Sequence, residues 1–514
     1  YIGPLFESVG HGYETTDYRK LDSRLGTNDD LKNFVKVCHQ KGIRVIFDGV
    51  FNHTGRDFFA FKDIQKNREH SRYLNWYCNV NFYGNNEYND GFSYENWGGY
   101  NLLVKLNQRN PEVKDYICDV IRFWVSEFDV DGIRLDAADV LDFDFMKALR
   151  HTAETVKPDF WLMGEVIHGD YSRWVNGETL HSVTNYALHK ALYSGHNDHN
   201  YFEIAHTVKY LQNMGNLDLY NFVDNHDVER IYTKLSNKAH FAPVHVLLYT
   251  LPGIPSIYYG SEFGIEGRKE RGSDDSLRPA LDLKDYEDAL KKNPCTALVS
   301  ALGRVRQAVP ALSYGSYAEL MLTNRQYAFA RDLNGVRVIV TVNNDDNDAF
   351  MNLQAGNVSE YTGALSGQHV SVQDGHIQVA VAANNGEIWV PSEVLKDSAE
   401  YSAEVQTEPE KSETGEPDMK EPDMKESDIE EPDMKEPDPE ETVSEVSETQ
   451  IETNKNAENT VSVNKTPEEM TVEELQAAIL AKMAGNGPVT DQMKKTVYDN
   501  IWHESLVNWL KSFR

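Results

Sequence analysis

Cysteine is scarce in this chain. Its 514 residues carry four, Cys38, Cys78, Cys118 and Cys295, with no CxxC pair and no histidine at ligand spacing. The common zinc modules are thereby excluded, and no metal-ligand set is expected. Three of the four thiols lie in segments that read as helix or core, where the reduced form is the default. Long apolar runs are also missing: none approaches the roughly 20 residues that span a bilayer, so no membrane partner is expected. Positive charge is in deficit, with 50 Lys and Arg against 82 Asp and Glu and a net charge of −32. A surface of that sign disfavours nucleic acid and anionic lipid. No signal peptide is recognisable, which leads to an expected cytoplasmic location. The chain opens abruptly at Tyr1-Ile-Gly-Pro-Leu-Phe6, in what reads as the end of a strand, so a truncated sequence is expected.

The negative charge is unevenly placed. Between Lys396 and Lys465, 23 acids face 7 bases, so this stretch holds half of the net charge of −32. It is poor in aromatics and carries a five-residue repeat from Glu416 to Glu440 (EPDMK, EPDMK, ESDIE, EPDMK, EPDPE). Such a composition buries too little apolar area to offset chain entropy, and residues 396–465 are expected to be a disordered acidic linker. Residues 466–514 read as a small helical module. Thr471 and Glu474 suit a capping box for a helix ending at Gly485, and a second amphipathic helix spans about Asp491 to Phe513. This module suits docking to a partner that the sequence does not identify or to the enzyme itself, and a mobile appendage is an equal alternative.

Four apolar runs end in an acid: IRVIFD (to Asp48), DGIRLD (to Asp136), FWLMGE (to Glu165) and LDLYNFVDNHD (to Asp227). Helix-like stretches separate them. A single such acid is as easily a helix cap, but four in succession suit parallel strands that present carboxylates on one face of a β/α barrel. An oversized segment, 54–110, interrupts the rhythm and is rich in Tyr, Trp, Asn and Gly; a loop of this length is functional or a small subdomain. Of its aromatics, Trp97, Tyr100, Phe82 and Tyr83 suit either sugar-stacking platforms or, more readily, subdomain packing. After about residue 306 alternating strands predict an antiparallel β domain over 307–395.

Side chains two apart on a strand point the same way, so Arg134 and Asp136 are neighbours. A guanidinium beside a carboxylate is expected to lower its pKa, which suits Asp136 to act as an anionic nucleophile. A plain ion pair locking the strands is the alternative. Glu165 follows Trp161, Leu162 and Met163, and apolar surroundings suit a general acid that then turns base. Two carboxyls with opposed tendencies meet the needs of retaining glycoside hydrolysis. His226 and Asp227 add a donor and a further anion. His168, His181, His196 and His199 lack partners in the sequence and read as polar loop residues.

DGVFNH (Asp48 to His53), GIRLDAADV (Gly132 to Val140), GEVIH (Gly164 to His168) and FVDNHD (Phe222 to Asp227) resemble, in order and spacing, the four conserved regions of the α-amylase family, glycoside hydrolase family 13. VKLN (Val104 to Asn107), HGYETTDY (His11 to Tyr18) and GIPSIYYGSE (Gly253 to Glu262) are similar to three further family motifs. The resemblance covers about residues 1–395. It implies a (β/α)8 TIM barrel over 1–306, with an insertion after strand three and a C-terminal β-sandwich. It also implies Asp136 as nucleophile, Glu165 as acid/base and Asp227 as transition-state stabiliser. Arg134 would orient Asp136, His53 and His226 would hydrogen-bond the sugar, and Tyr13 would stack on it. Asp48, Asn52 and Asn107 would be structural. The implied substrate is an α-glucan oligosaccharide cleaved at α-1,4 bonds; a transglycosylase or an inactive binding protein would share much of the pattern.

Some positions depart from the family. Asp139-Val140 stand where starch-degrading members often carry Lys-His, removing a sugar contact and one contributor to the usual calcium site. No cofactor is expected to be required, and calcium is weakened as a candidate by this change but still stands as one. VKLN and EVIH look closer to the neopullulanase and cyclomaltodextrinase branch, although Val104 and Ile167 replace its usual proline and tryptophan. Phe6 falls just after the family's second strand, so the first strand, its helix and most of the second are expected to be absent.

Overall fold

The computed structural model describes residues 1–270, 273–396 and 472–485. It divides into two units, Tyr1–Glu413 and Thr414–Arg514. In the second unit the described element is a helix over Val472–Gly485, at the position the sequence indicates. The acidic repeats, the rest of the expected linker from residue 397 and the helix expected near Asp491 to Phe513 lie outside the described residues.

In the first unit, four short strands form a parallel sheet in chain order: Ile46–Gly49, Gly132–Leu135, Trp161–Gly164 and Ser182–Val183. Two more, Tyr220–Asn221 and Ile254–Pro255, pair in parallel. Single parallel bridges extend the arc, Ile2 to Phe47 at one end and Thr184 to Tyr220 between the two sheets. The strands thus form an open parallel arc and no closed barrel: among the described residues no ladder joins Ile254–Pro255 back to Ile2. Each strand is also shorter than its apolar run. The LDLYNFVDNHD segment contributes only Tyr220–Asn221, because beyond Asn221 no neighbouring strand offers a ladder of backbone groups.

Helices fill the outside and start where the sequence supplies caps. Thr27 and Asp30 close a capping box for Asn28–Gln40, Asn110 precedes Pro111–Phe128, and Asp142 caps Phe143–Val156. Each satisfies amide N–H groups that a helix start leaves without partners. Their inner faces bury Val35, Ile117, Ile121, Trp124, Phe145 and Leu149 against the strand residues Phe47, Ile133, Leu135 and Leu162. The strands approach closely at Gly132, where a Cβ would lie 2.3 Å from the Trp161 carbonyl oxygen.

The region after residue 314 is antiparallel throughout. A six-stranded sheet runs in the order Ser316–Leu322, Gln326–Leu333, Val336–Asn343, Asn385–Pro391, Glu360–Gly363 and His369–Ser371, and a hairpin pairs Ala349–Gln354 with His376–Val381. Alternation divides the large sheet's residues between two cores. Tyr327, Phe329, Val338, Val340 and Ile388 join Val244, Leu247 and Leu248 of the Phe241–Thr250 helix, while Ala328, Ile339 and Trp389 pack with Met351, Leu353, Ile377 and Val379 of the hairpin. The sheet thus shares one core with the α/β part and the other with the hairpin.

Candidate active site

Parallel register pairs Asp48 with Arg134 and Arg134 with Met163, which brings the strand-end acids to one end of the sheet. Arg134 is the hub and is 3% exposed. Its Nη1 lies 3.0 Å from Asp48 Oδ1 and 2.8 Å from Asp136 Oδ1, and its Nη2 lies 2.7 Å from Glu165 Oε2. One buried cation therefore faces three carboxyls. Burial is the main force raising Asp136 above the ordinary carboxylate range; Glu165 and Asp48 push it the same way against Arg134. Asp48 also moves up, again chiefly by burial. Arg134 does pull Asp136 down as expected, but the net shift is upward, because one cation does not offset desolvation and two like charges.

Directly after Asp136, Ala137 adopts φ 46° and ψ 43°, a left-handed conformation that costs a residue bearing a Cβ on the order of 1 kcal/mol. The turn carries its N–H to 3.2 Å from Glu165 Oε2. Strain at this position therefore has a use: it adds a second donor to the oxygen that Arg134 already holds.

Across the site, the Tyr13 hydroxyl donates to Asp48 Oδ2 at 3.3 Å and lies 2.6 Å from His226 Nε2. The Tyr13 and His226 rings are nearly parallel, 6.0 Å apart at 11°. His53 Nε2 lies 3.1 Å from the Tyr13 carbonyl oxygen. Burial lowers His53 to about 4; burial, with Arg134 and Arg278, lowers His226 to about 3. Both imidazoles are therefore neutral near pH 7, able to hydrogen-bond a hydroxyl without adding charge.

Asp227 sits six residues beyond Asn221, on a loop closed by Asn225, whose Oδ1 accepts from the Asp227 and Val228 N–H groups at 2.8 and 3.1 Å. Its carboxylate lies 3.1 Å from His226 Nε2 and 3.5 Å from Arg278 Nη2. The Tyr186 hydroxyl donates to Glu165 Oε1 at 3.4 Å and accepts from Asn225 Nδ2 at 3.2 Å. Asp136, Glu165 and Asp227 are thus brought into one hydrogen-bonded network. Asn52 Oδ1 accepts from Gln108 Nε2 at 3.2 Å, which ties the inserted segment to the strand end, and Asn107 Nδ2 donates to the Asn75 carbonyl at 3.0 Å within the segment.

Five residues of this network were not singled out from the sequence: Tyr1, which donates to Asp48 Oδ2 at 3.2 Å, and Tyr186, Asn225, Asp274 and Arg278. Asp274 lies 3.3 Å from both Arg278 Nη2 and His11 Nε2. Asp274 and Arg278 stand in irregular chain without periodicity, and Tyr186 reads only as the start of a helix. Asn225 lies within FVDNHD, where an Asn two residues before Asp227 is a readable turn signal. Of the insertion's aromatics, Phe82 packs 5.4 Å from Phe92, whereas Tyr83 and Tyr100 are exposed. His196 is corrected from a loop residue to a buried helical one, its Nδ1 2.7 Å from the Leu192 carbonyl oxygen.

Among the described residues, no group of three or more His, Cys, Asp or Glu is arranged to hold a metal ion. None of the described helices is long and apolar enough to cross a membrane.

Residues 1–304 match the family description "Alpha amylase, catalytic domain". A cyclomaltodextrinase from Thermoanaerobacter pseudethanolicus is 33% identical over 356 residues, covering 67% of this chain and 60% of that protein. A solved structure titled cyclomaltodextrinase matches with a TM-score of 0.68 at 27% identity, covering 75% of this chain and 67% of its own. The debranching enzyme of Nostoc punctiforme matches with a TM-score of 0.65 at 27% identity, over 76% of this chain and 84% of its own. The chain spans about half to three fifths of the length of the curated relatives it matches.

Proposed function

The chain belongs to the α-amylase family, and on that premise we propose that it hydrolyses α-1,4-glucosidic bonds of maltodextrins with retention at the anomeric carbon. Similarity to the cyclomaltodextrinase puts cyclic and short linear maltodextrins first among substrates. Glu165 gives a proton to the glycosidic oxygen as that bond breaks, and Asp136, in its ionised form, bonds to the anomeric carbon. Glu165 then takes a proton from water, whose oxygen displaces Asp136. Arg134 holds Asp136 in place, Asp227 stabilises positive charge on the ring, and His53 and His226 hydrogen-bond the sugar. Tyr13 offers its ring as the sugar's floor. No step runs through calcium.

The observation that carries this reading is the Arg134 guanidinium, which holds Asp136 and Glu165 at 2.8 and 2.7 Å on neighbouring nitrogens. A nucleophile and an acid must flank one bond, and a shared clamp keeps them together. With maltotriose, NMR should detect the α-anomer as the first product. Asp136→Asn and Glu165→Gln should each cut turnover by about 10³-fold or more. Initial release of the β-anomer, or turnover indifferent to both substitutions, refutes the reading; products longer than the substrate would mean sugar transfer instead.

A further inference from the structure

The roles proposed above leave Tyr186 unused, although its hydroxyl touches the acid. Glu165 Oε2 already receives Arg134 Nη2 at 2.7 Å and the Ala137 N–H at 3.2 Å. A proton destined for a leaving group must therefore sit on Oε1, the oxygen 3.4 Å from the Tyr186 hydroxyl. The direction of the phenol's own hydrogen follows from its other neighbour. Asn225 Oδ1 accepts two backbone N–H groups, which fixes its Nδ2 as the atom facing Tyr186 at 3.2 Å. An amide N–H occupies the phenol's lone pair, so the phenol O–H is left for Glu165.

We propose, resting on the hydrolase reading, that Tyr186 is a positioning residue whose phenol proton, aimed by Asn225, stabilises the Glu165 carboxylate after it has protonated the leaving group. While Glu165 is protonated, its O–H and the phenol O–H compete across the same gap. Once the proton has gone to the glycosidic oxygen and the anomeric carbon has bonded to Asp136, Oε1 is an anionic acceptor and the contact becomes charge-assisted. When water returns a proton to Oε1 and its oxygen displaces Asp136, the contact relaxes. Tyr186 keeps its own proton throughout, since burial and the nearby Glu165 hold the phenol well above its ordinary range. Its ring is braced edge-on against Phe222 at 4.9 Å, and it opens a helix capped by Asn185.

Tyr186→Phe keeps the ring and deletes the donor. The alkaline limb of kcat/KM should move up by about half a pH unit, because the ionised acid loses a hydrogen bond. Cleavage of a phenyl α-maltoside, whose leaving group needs a proton, should fall about tenfold, and that of a 2,4-dinitrophenyl α-maltoside less than about twofold. Equal losses on both substrates with an unmoved limb would make Tyr186 purely structural and overturn the proposal. Asn225→Asp turns the phenol proton away from Glu165; it should shift the limb in the same direction, and shift it less when Tyr186 is already Phe. If the wild type cleaves neither substrate, the hydrolase reading fails separately. The proposal is then decided by carboxyl carbon NMR titration of glutamate-labelled protein, with Glu165 identified through Glu165→Gln. A midpoint raised by Tyr186→Phe supports it, and an unmoved midpoint overturns it.

Discussion

At the start of the Gly132–Leu135 strand, Asp131 accepts from the Val45 N–H at 2.7 Å and lies 2.8 Å from Lys157 Nζ and 2.7 Å from His39 Nε2. Just past the end of the same strand, Asp136 shares one cation, Arg134, with Asp48 and Glu165. Burial acts on both acids. At Asp131, Lys157, the Val45 N–H and His39 outweigh it and hold the carboxyl below its ordinary range; at Asp136 it prevails and the carboxyl rises. The two ends of one strand therefore differ in the ratio of donors to acids. An acid with donors to spare serves the fold, and acids that must share a donor stay reactive at the fold's expense. A β/α arrangement divides stability and chemistry between its two ends in this way.

The sharpest way to break this contrast is a pair of isosteric changes. Asp136→Asn should cost about 10³-fold or more in turnover, while the urea midpoint, taken above about pH 8 where Asp136 is ionised, stays level or rises, because a crowded buried charge has been removed. Asp131→Asn should do the opposite: turnover per folded molecule changes less than about twofold, and stability falls by about 2 kcal/mol as charged hydrogen bonds are lost. If the two variants are destabilised equally, the ends are energetically alike and the comparison fails.

The gathering of the site's acids was legible in the sequence, but the contrast with Asp131 was not. The acids at 48, 136 and 165 follow short apolar runs, and parallel register alone brings them to one end of a sheet. The β region was legible because Tyr327 to Leu333 and Val336 to Asn343 alternate on a period of two, even where both faces are covered. Three things were out of reach. Pattern marks a strand's existence better than its ends, so the runs before Asp48 and Asp227 promised more ladder than neighbours could supply. Charge balance at Asp136 depends on how many acids share Arg134, and adjacency in one strand revealed only the pair. Arg278 and Tyr186 reach the site through tertiary contacts that leave no local pattern.

A smaller effect, read in stability against pH, sharpens the comparison further. Asp48 and Asp136 have folded-state values raised above the ordinary 3.8, so in that interval the folded chain binds more protons than the unfolded one. Their stabilising contribution is full below about pH 4 and drains away as pH climbs, through about 8 for Asp136. Asp131 is depressed, so its contribution is present above the ordinary value and is lost only as pH falls below it. Urea midpoints taken between about pH 5 and 8 should decline with rising pH in the wild type. They should decline less in Asp48→Asn, which removes one raised carboxyl and relieves Asp136 of a like charge. Asp131→Asn should lower every midpoint in that window by a similar amount without altering the slope. An Asp48→Asn slope equal to the wild type's would mean that the acids around Arg134 are fully ionised throughout the window, and that a single guanidinium suffices for all three.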